Sequence, residues 1–202
     1  MKPAFLPFQT EVRAEIGALR SEVERLASEL EQVREHAATL EALALEDSLT
    51  GLLNRRGFVR DLGRAIAYLA RYGTPAALML ADLDRFKPIN DTYGHEVGDR
   101  ALQHFAGVLK ANLRASDTIG RLGGDEFAFV VWQVDAAKAR HKAAALAGIL
   151  GATPLKTAGV VLNLATSIGV TALEPQDTPD GALARADKAM YAEKARRKAG
   201  RT

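Results

Sequence analysis

From Thr10 to Glu46 the sequence contains no proline and a single glycine, Gly17, and its apolar residues return at alternating steps of four and three. The series is Val12, Ile16, Leu19, Val23, Leu26, Leu30, Val33, Ala37, Leu40 and Ala44. An average step of 3.5 residues, kept up for more than four heptads, leaves a narrow apolar seam that suits a second helix, the pattern of a coiled coil. With Ile16, Val23, Leu30 and Ala37 at a, the d positions are Leu19, Leu26, Val33 and Leu40. β-Branched residues at a with Leu at d favour a parallel dimer in the first half. Glu15 and Glu29 fall at g and Arg20 and Arg34 at the following e, so each Glu faces an Arg of a parallel partner chain. A single amphipathic helix lying on its own domain is the competing reading; the narrowness and regularity of the seam rank it second.

Near Asp47 the periodicity changes, which divides the chain into a dimerisation helix (1–46) and a folded domain (47–202). Residues 76–81, AALMLA, read as a buried strand that runs into Asp82. Leu102, Phe105, Leu109 and Leu113 have helical spacing over 99–113. Residues 118–122 and 126–132 read as two strands of a hairpin turned at Gly123-Gly124. Residues 136–150 are Ala-rich and helical, 159–171 are strand or a strand pair, and a last helix runs from Asp180 to about Lys198. This order predicts an α/β (α+β) domain with a mixed sheet and helices on its faces.

Composition narrows the function. The 202 residues are 48% hydrophobic and 26% charged, as in folded proteins. Basic and acidic residues, 27 and 25, nearly cancel to +2, which gives no support to a dedicated nucleic-acid binder. There is no cysteine, so disulfides and thiolate metal sites are excluded. No apolar run approaches the length of a membrane span, and Met1–Thr10 lacks the apolar stretch of a secretion signal. The expected compartment is the cytoplasm, with no membrane insertion.

Three acidic clusters carry candidate chemistry. Asp82-Leu83-Asp84 follows a strand, and alternation puts Asp82 and Asp84 on one side, with the Leu83 carbonyl free to turn toward it. Asp125-Glu126 sits at a Gly-Gly turn that lets a bulky ligand approach the backbone closely. Asn90-Asp91 and Asp99 lie in FKPINDTYGHEVGD. Hard oxygen donors without Cys or paired His point to Mg²⁺, and Mg²⁺ on a few carboxylates points to a phosphate-bearing substrate. Taken singly, each cluster also reads as a helix cap or a turn.

Gly123-Gly124-Asp125-Glu126-Phe127, within RLGGDEFAFV, resembles the signature of the GGDEF-domain diguanylate cyclases. DSLTGLLNRRGF (Asp47–Phe58), DLDRFKPINDTYGHEVGD (Asp82–Asp99), SIGV (Ser167–Val170) and ADKAMYAEK (Ala186–Lys194) resemble further blocks of that family, in order, over about three-quarters of the chain. The resemblance implies a palm-like domain of nucleotidyl-cyclase type. Two such domains, each with one GTP, meet face to face, form cyclic di-GMP and release two pyrophosphates, in bacterial second-messenger signalling. It implies Mg²⁺, two per half-site with Mn²⁺ as a substitute, on Asp82, the Leu83 carbonyl, Asp125 and Glu126. Asp125 or Glu126 assists deprotonation of the attacking hydroxyl. Asn90 and Asp99 match guanine-edge positions, His95 lies near the base, and Gly123 and Gly124 form the backbone of the turn. Lys87 and Lys194 match phosphate-contacting positions. Lys198 stands where the family usually has arginine, which keeps the charge and loses the planar fork; a Gly200-Arg201 pair follows slightly later.

Arg114-Ala115-Ser116-Asp117, shortly before Gly123, resembles the family's inhibitory RxxD motif. It implies a product-binding site in which Arg114 grips a guanine O6/N7 edge and Asp117 takes N1–H and N2–H. The ordinary reading is a helix-end arginine with a nearby ion pair. Tethering two domains through the coiled coil raises their effective concentration, so the seam and the chemistry belong together. A non-catalytic cyclic di-GMP receptor and a dimerising adaptor with a vestigial domain are the alternatives; the intact GGDEF residues oppose both.

Overall fold

The computed structural model describes residues 6–157 and 159–199, the side chains of 6–12, 14 and 35–44 excepted. The chain falls into two compact units, Met1–Ala44 and Leu45–Thr202. The first is the greater part of one 40-residue helix, α1 (Leu6–Leu45). Ile16, Leu19, Val23, Leu26, Leu30 and Val33 are 47–64% exposed in the single chain, a continuous uncovered seam. Glu29 is engaged within its own helix by Arg25, which also meets Glu22 at 2.6 Å. The heptad side chains of Val12, Ala37, Leu40 and Ala44 lie outside the described residues, as does Gly200-Arg201. Among the described residues no helix is long and apolar enough to cross a membrane.

In the second unit, α2 (Arg55–Tyr72) starts where Asn54 accepts a hydrogen bond from the Gly57 N–H. It ends on left-handed Gly73, whose N–H returns to the Leu69 carbonyl. Phe58, Leu62, Ala65, Ile66 and Leu69 make its buried face. Next come β1 (Ala76–Leu83), α3 (Phe86–Tyr93), α4 (His95–Asn112), β2 (Thr118–Gly123) and β3 (Glu126–Trp132). The chain closes with α5 (Ala136–Ala152), β4 (Leu155–Thr157), β5 (Val160–Leu162), β6 (Thr166–Ala172) and α6 (Pro179–Ala199).

Four strands form one sheet in the order β2-β3-β1-β6, and each pairing between them is antiparallel. The parallel component of the expected mixed sheet comes down to one isolated bridge, Leu53 to Gly120. All eight residues of β1 are buried because helices cover both faces of the sheet. Ala77, Met79, Ala81 and Leu83 pack with α4 and α5, where Phe105 meets Phe127 edge-on at 4.8 Å. Ala76, Leu78 and Leu80 pack with α2 and α6. A continuous apolar run is therefore correct for a central antiparallel strand here.

Two helices that periodicity leaves unassigned, α2 and α3, are present. The strand pair expected over 159–171 is present, but its members separate: β5 pairs with β4, and β6 joins β1. In β6 a Cβ on Gly169 would stand 2.2 Å from the Met190 nitrogen and 2.3 Å from the Ala186 carbonyl, so α6 rests its backbone directly on the sheet. This contact places Lys194, one turn beyond Met190, beside the end of β1.

Candidate active site

The strand ladder decides which acids meet. β1 and β3 run antiparallel with Asp82 opposite Glu126, and the Leu83 N–H donates to the Asp125 carbonyl at 3.3 Å. The turn between β2 and β3 is made by Gly123 at φ +146° and Gly124 at φ +53°, conformations that L side chains rarely adopt. Asp82, Leu83, Asp125 and Glu126 are thus brought to one end of the sheet. Asp82 is buried, and Lys194 Nζ lies 2.6 Å from its Oδ2. Burial lifts the Asp82 carboxyl above the usual carboxylate value; Lys194 opposes the rise, and the charges of Asp125 and Glu126 add to it.

Asp82 and Asp84 both face a cavity of about 1010 Å³, as strand alternation requires. Lys194, Arg197, Lys198 and Arg85 supply its positive lining, and Ile89, Tyr93 and Leu162 its apolar part. Ser167 Oγ donates to Asp84 at 2.7 Å, and Arg197 approaches it at 3.6 Å. Asp84 belongs to the first acidic cluster noted in the sequence, where it has no separate role, whereas Ser167 and Arg197 carry no site expectation of their own from the sequence. Arg197 adjoins Lys198, the position that departs from the family pattern, which is the signal that points to it. Asp125 and Glu126 do not line this cavity; they stand beside Asp82 across the β1–β3 pair.

The donor set at this end is all hard oxygen. Among the described residues no three carboxylate or histidine side chains gather into a ready-made cation site. Lys194 is instead the cation seated on Asp82. The residues fit a divalent ion on a different observation: a buried acid that two neighbouring acids push toward protonation is a place where added positive charge stabilises the ionised form.

Asn90 sits in the last turn of α3, and its Oδ1 is buried without a hydrogen-bond partner among the described residues. A buried unpaired acceptor costs free energy unless a ligand or water supplies a donor. A Cβ on Gly98 would come within 1.8 Å of that oxygen, so only glycine lets α4 pass it. Asp99, next along α4, is exposed, as are His95 at the start of α4 and Lys87 on α3.

Arg114 and Asp117 form a turn after α4. The Asp117 N–H donates to the Arg114 carbonyl at 2.9 Å, and Asp117 Oδ2 accepts from the Arg114 N–H at 3.0 Å. Its Oδ1 accepts from the Trp132 N–H at 3.3 Å, at the end of β3 away from Glu126. Both carboxylate oxygens of Asp117 therefore already hold backbone, while the Arg114 side chain is exposed.

The sequence matches the model of the family "Diguanylate cyclase, GGDEF domain" over residues 44–200. Among curated relatives, diguanylate cyclase DgcP of Pseudomonas aeruginosa is 33% identical over 91% of this chain and 27% of its own length. Response regulator PleD of Caulobacter vibrioides is 39% identical over 76% of this chain and 34% of its own. The chain thus spans about a third or less of these two relatives. Among solved structures, the coiled coil and GGDEF domain of DgcB from Caulobacter crescentus, in complex with c-di-GMP, superposes with a TM-score of 0.78 at 29% identity, over 88% of this chain and 95% of that one. With the GGDEF turn, the acid register and the α6 lysine placed as above, the chain belongs to the GGDEF-domain diguanylate cyclase family.

Proposed function

We propose that this chain is a diguanylate cyclase that condenses two GTP into cyclic di-GMP and releases two pyrophosphates. The observation that carries the reading is the meeting of Asp82, Asp125 and Glu126 at one sheet end, with Lys194 on Asp82 at 2.6 Å. Asp82, the Leu83 carbonyl, Asp125 and Glu126 would hold two Mg²⁺ per half-site, with Mn²⁺ as a substitute. When bound, the ions neutralise charge on the phosphates and the attacking oxygen.

The chain's own groups do the rest. Lys87, Lys194 and Lys198 bind phosphate oxygens, so Lys194 exchanges Asp82 for the triphosphate when substrate enters. The Gly123-Gly124 backbone lets the phosphates lie close to the turn. Asn90 and Asp99 read the guanine edge, the unpaired Asn90 oxygen accepting from it, and His95 flanks the base. Asp125 or Glu126 takes the proton from the 3′-hydroxyl. That hydroxyl attacks the α-phosphate of the GTP held by the opposite domain, and pyrophosphate leaves. Arg114, free at the surface, and Asp117 form a product-binding site that lowers turnover. The exposed seam of α1 joins two chains as a parallel coiled coil, and the enzyme works in the cytoplasm.

Incubation of the protein with GTP and Mg²⁺, followed by chromatography of the nucleotides, tests this. Cyclic di-GMP and pyrophosphate are expected from the native chain, and Asp125→Ala is expected to lose at least ~100-fold in rate at an unchanged melting midpoint. Unconsumed GTP, with cyclic di-GMP still bound, would instead identify a receptor.

A further inference from the structure

We propose that Arg121, held in place by Asp47, is a positioning residue: its guanidinium fixes the peptide just before Asp125 and so aims the two acids of the GGDEF turn. The inference rests on the cyclase reading, which makes those acids the reacting groups.

Packing does little to hold the turn. The β2–β3 register shifts between Arg121 and Gly123, so the ladder is interrupted where the turn begins. A Cβ at Gly123 or Gly124 would meet no atom within 4 Å. What crosses the interruption is Arg121, whose Nε donates to the Gly124 carbonyl at 2.9 Å. That carbonyl belongs to the same rigid peptide unit as the Asp125 nitrogen, so holding the one orients the other.

Arg121 is itself held. Its Nη1 lies 3.0 and 3.2 Å from the two oxygens of Asp47, with the side chains only 14% and 20% exposed. Asp47 is anchored in turn by the Thr50 N–H at 2.9 Å and the Thr50 hydroxyl at 2.6 Å. Lys110 of α4 donates to the carbonyls of Thr50 and Gly51 at 3.2 and 3.0 Å, which ties this segment to the body of the domain. The chain of contacts runs from α4 through residues 47–51 to the guanidinium and ends on the turn. It needs a planar group that uses two of its edges at once, which lysine does not have.

The test uses the full chain with Arg121→Gln, Arg121→Lys and Asp47→Asn. Hydrogen exchange at the Asp125 and Glu126 amides is read without nucleotide, beside kcat and KM for GTP and the melting midpoint. In Arg121→Gln the turn amides are expected to exchange at least about tenfold faster, and kcat to fall by about ten- to a hundredfold with KM changed less than about threefold. Asp47→Asn should fall between this and the native chain. Arg121→Lys should recover the melting midpoint but not kcat. Native-like exchange at the turn in Arg121→Gln overturns the proposal. So does a loss expressed in KM alone, or faster exchange spread evenly over the sheet, which would make the pair a clamp on the whole fold. A native chain that leaves GTP unchanged overturns the cyclase reading and the catalytic purpose with it; the exchange comparison then decides separately whether Arg121 holds the turn.

Discussion

At the scale of single residues, hydrogen bonds and not size decide what each polar group does. Asp177 is nearly enclosed and receives both Nη atoms of Arg185, at 2.5 and 2.7 Å, and the Glu174 N–H at 2.8 Å. The Arg185 hydrogen bonds hold its carboxyl below the usual carboxylate value, against the opposing effect of burial. A carboxyl lowered in the folded state adds stability above its unfolded value of about 3.9, and that stability is lost as pH falls through the folded value. Asp177→Asn should therefore cost about 1 kcal/mol at neutral pH, and its difference from the native chain should shrink toward zero as pH falls below about 3.9, in denaturation measured across pH. The motif residues were legible in the sequence because the signature fixes their spacing. The partners of Asp117 were not: its bond to the Trp132 N–H depends on strand register, which spacing alone does not supply. Nor was the Asp47–Arg121 pair, whose members are 74 positions apart.

At the scale of elements, the sheet and its helices were legible wherever a pattern is long enough to show. The apolar run of β1 and the seven-residue β3 declared themselves. Helix α3 did not: it is eight residues long, contains Pro88, buries no residue completely, and starts after Arg85 in a left-handed conformation. Strands β4 and β5 are three residues each, too short for alternation to register. The β6–α6 contact was legible only as a motif, with Gly169 carrying no visible reason. The structure supplies it, since the α6 backbone occupies the space a side chain would need. Because that neighbour is backbone and cannot step aside, Gly169→Ala should cost about 3 kcal/mol, the upper end for overpacking. Thermal unfolding should show a midpoint lower by about 6–12 °C. The same variant should weaken GTP binding, since α6 carries Lys194 to Asp82.

At the scale of the whole molecule, the two units differ in how their apolar side chains are covered. Leu45–Thr202 has its own core on both faces of the sheet, whereas the long helix leaves six large apolar side chains about half exposed. Removing residues 1–44 is expected to leave a folded domain whose product formation drops at least ~10-fold at nanomolar protein and recovers as concentration rises. Undiminished activity at high dilution would remove the seam from the mechanism. Asp117 is tied to the Trp132 N–H at the far end of β3. Trp132 and Glu126 are the two ends of β3, so the Arg114–Asp117 turn lies roughly 20 Å from the acids. With the product site proposed at that turn, product held there does not crowd substrate out at the acids. Inhibition by product should therefore be noncompetitive: a ceiling on velocity that no excess of GTP lifts.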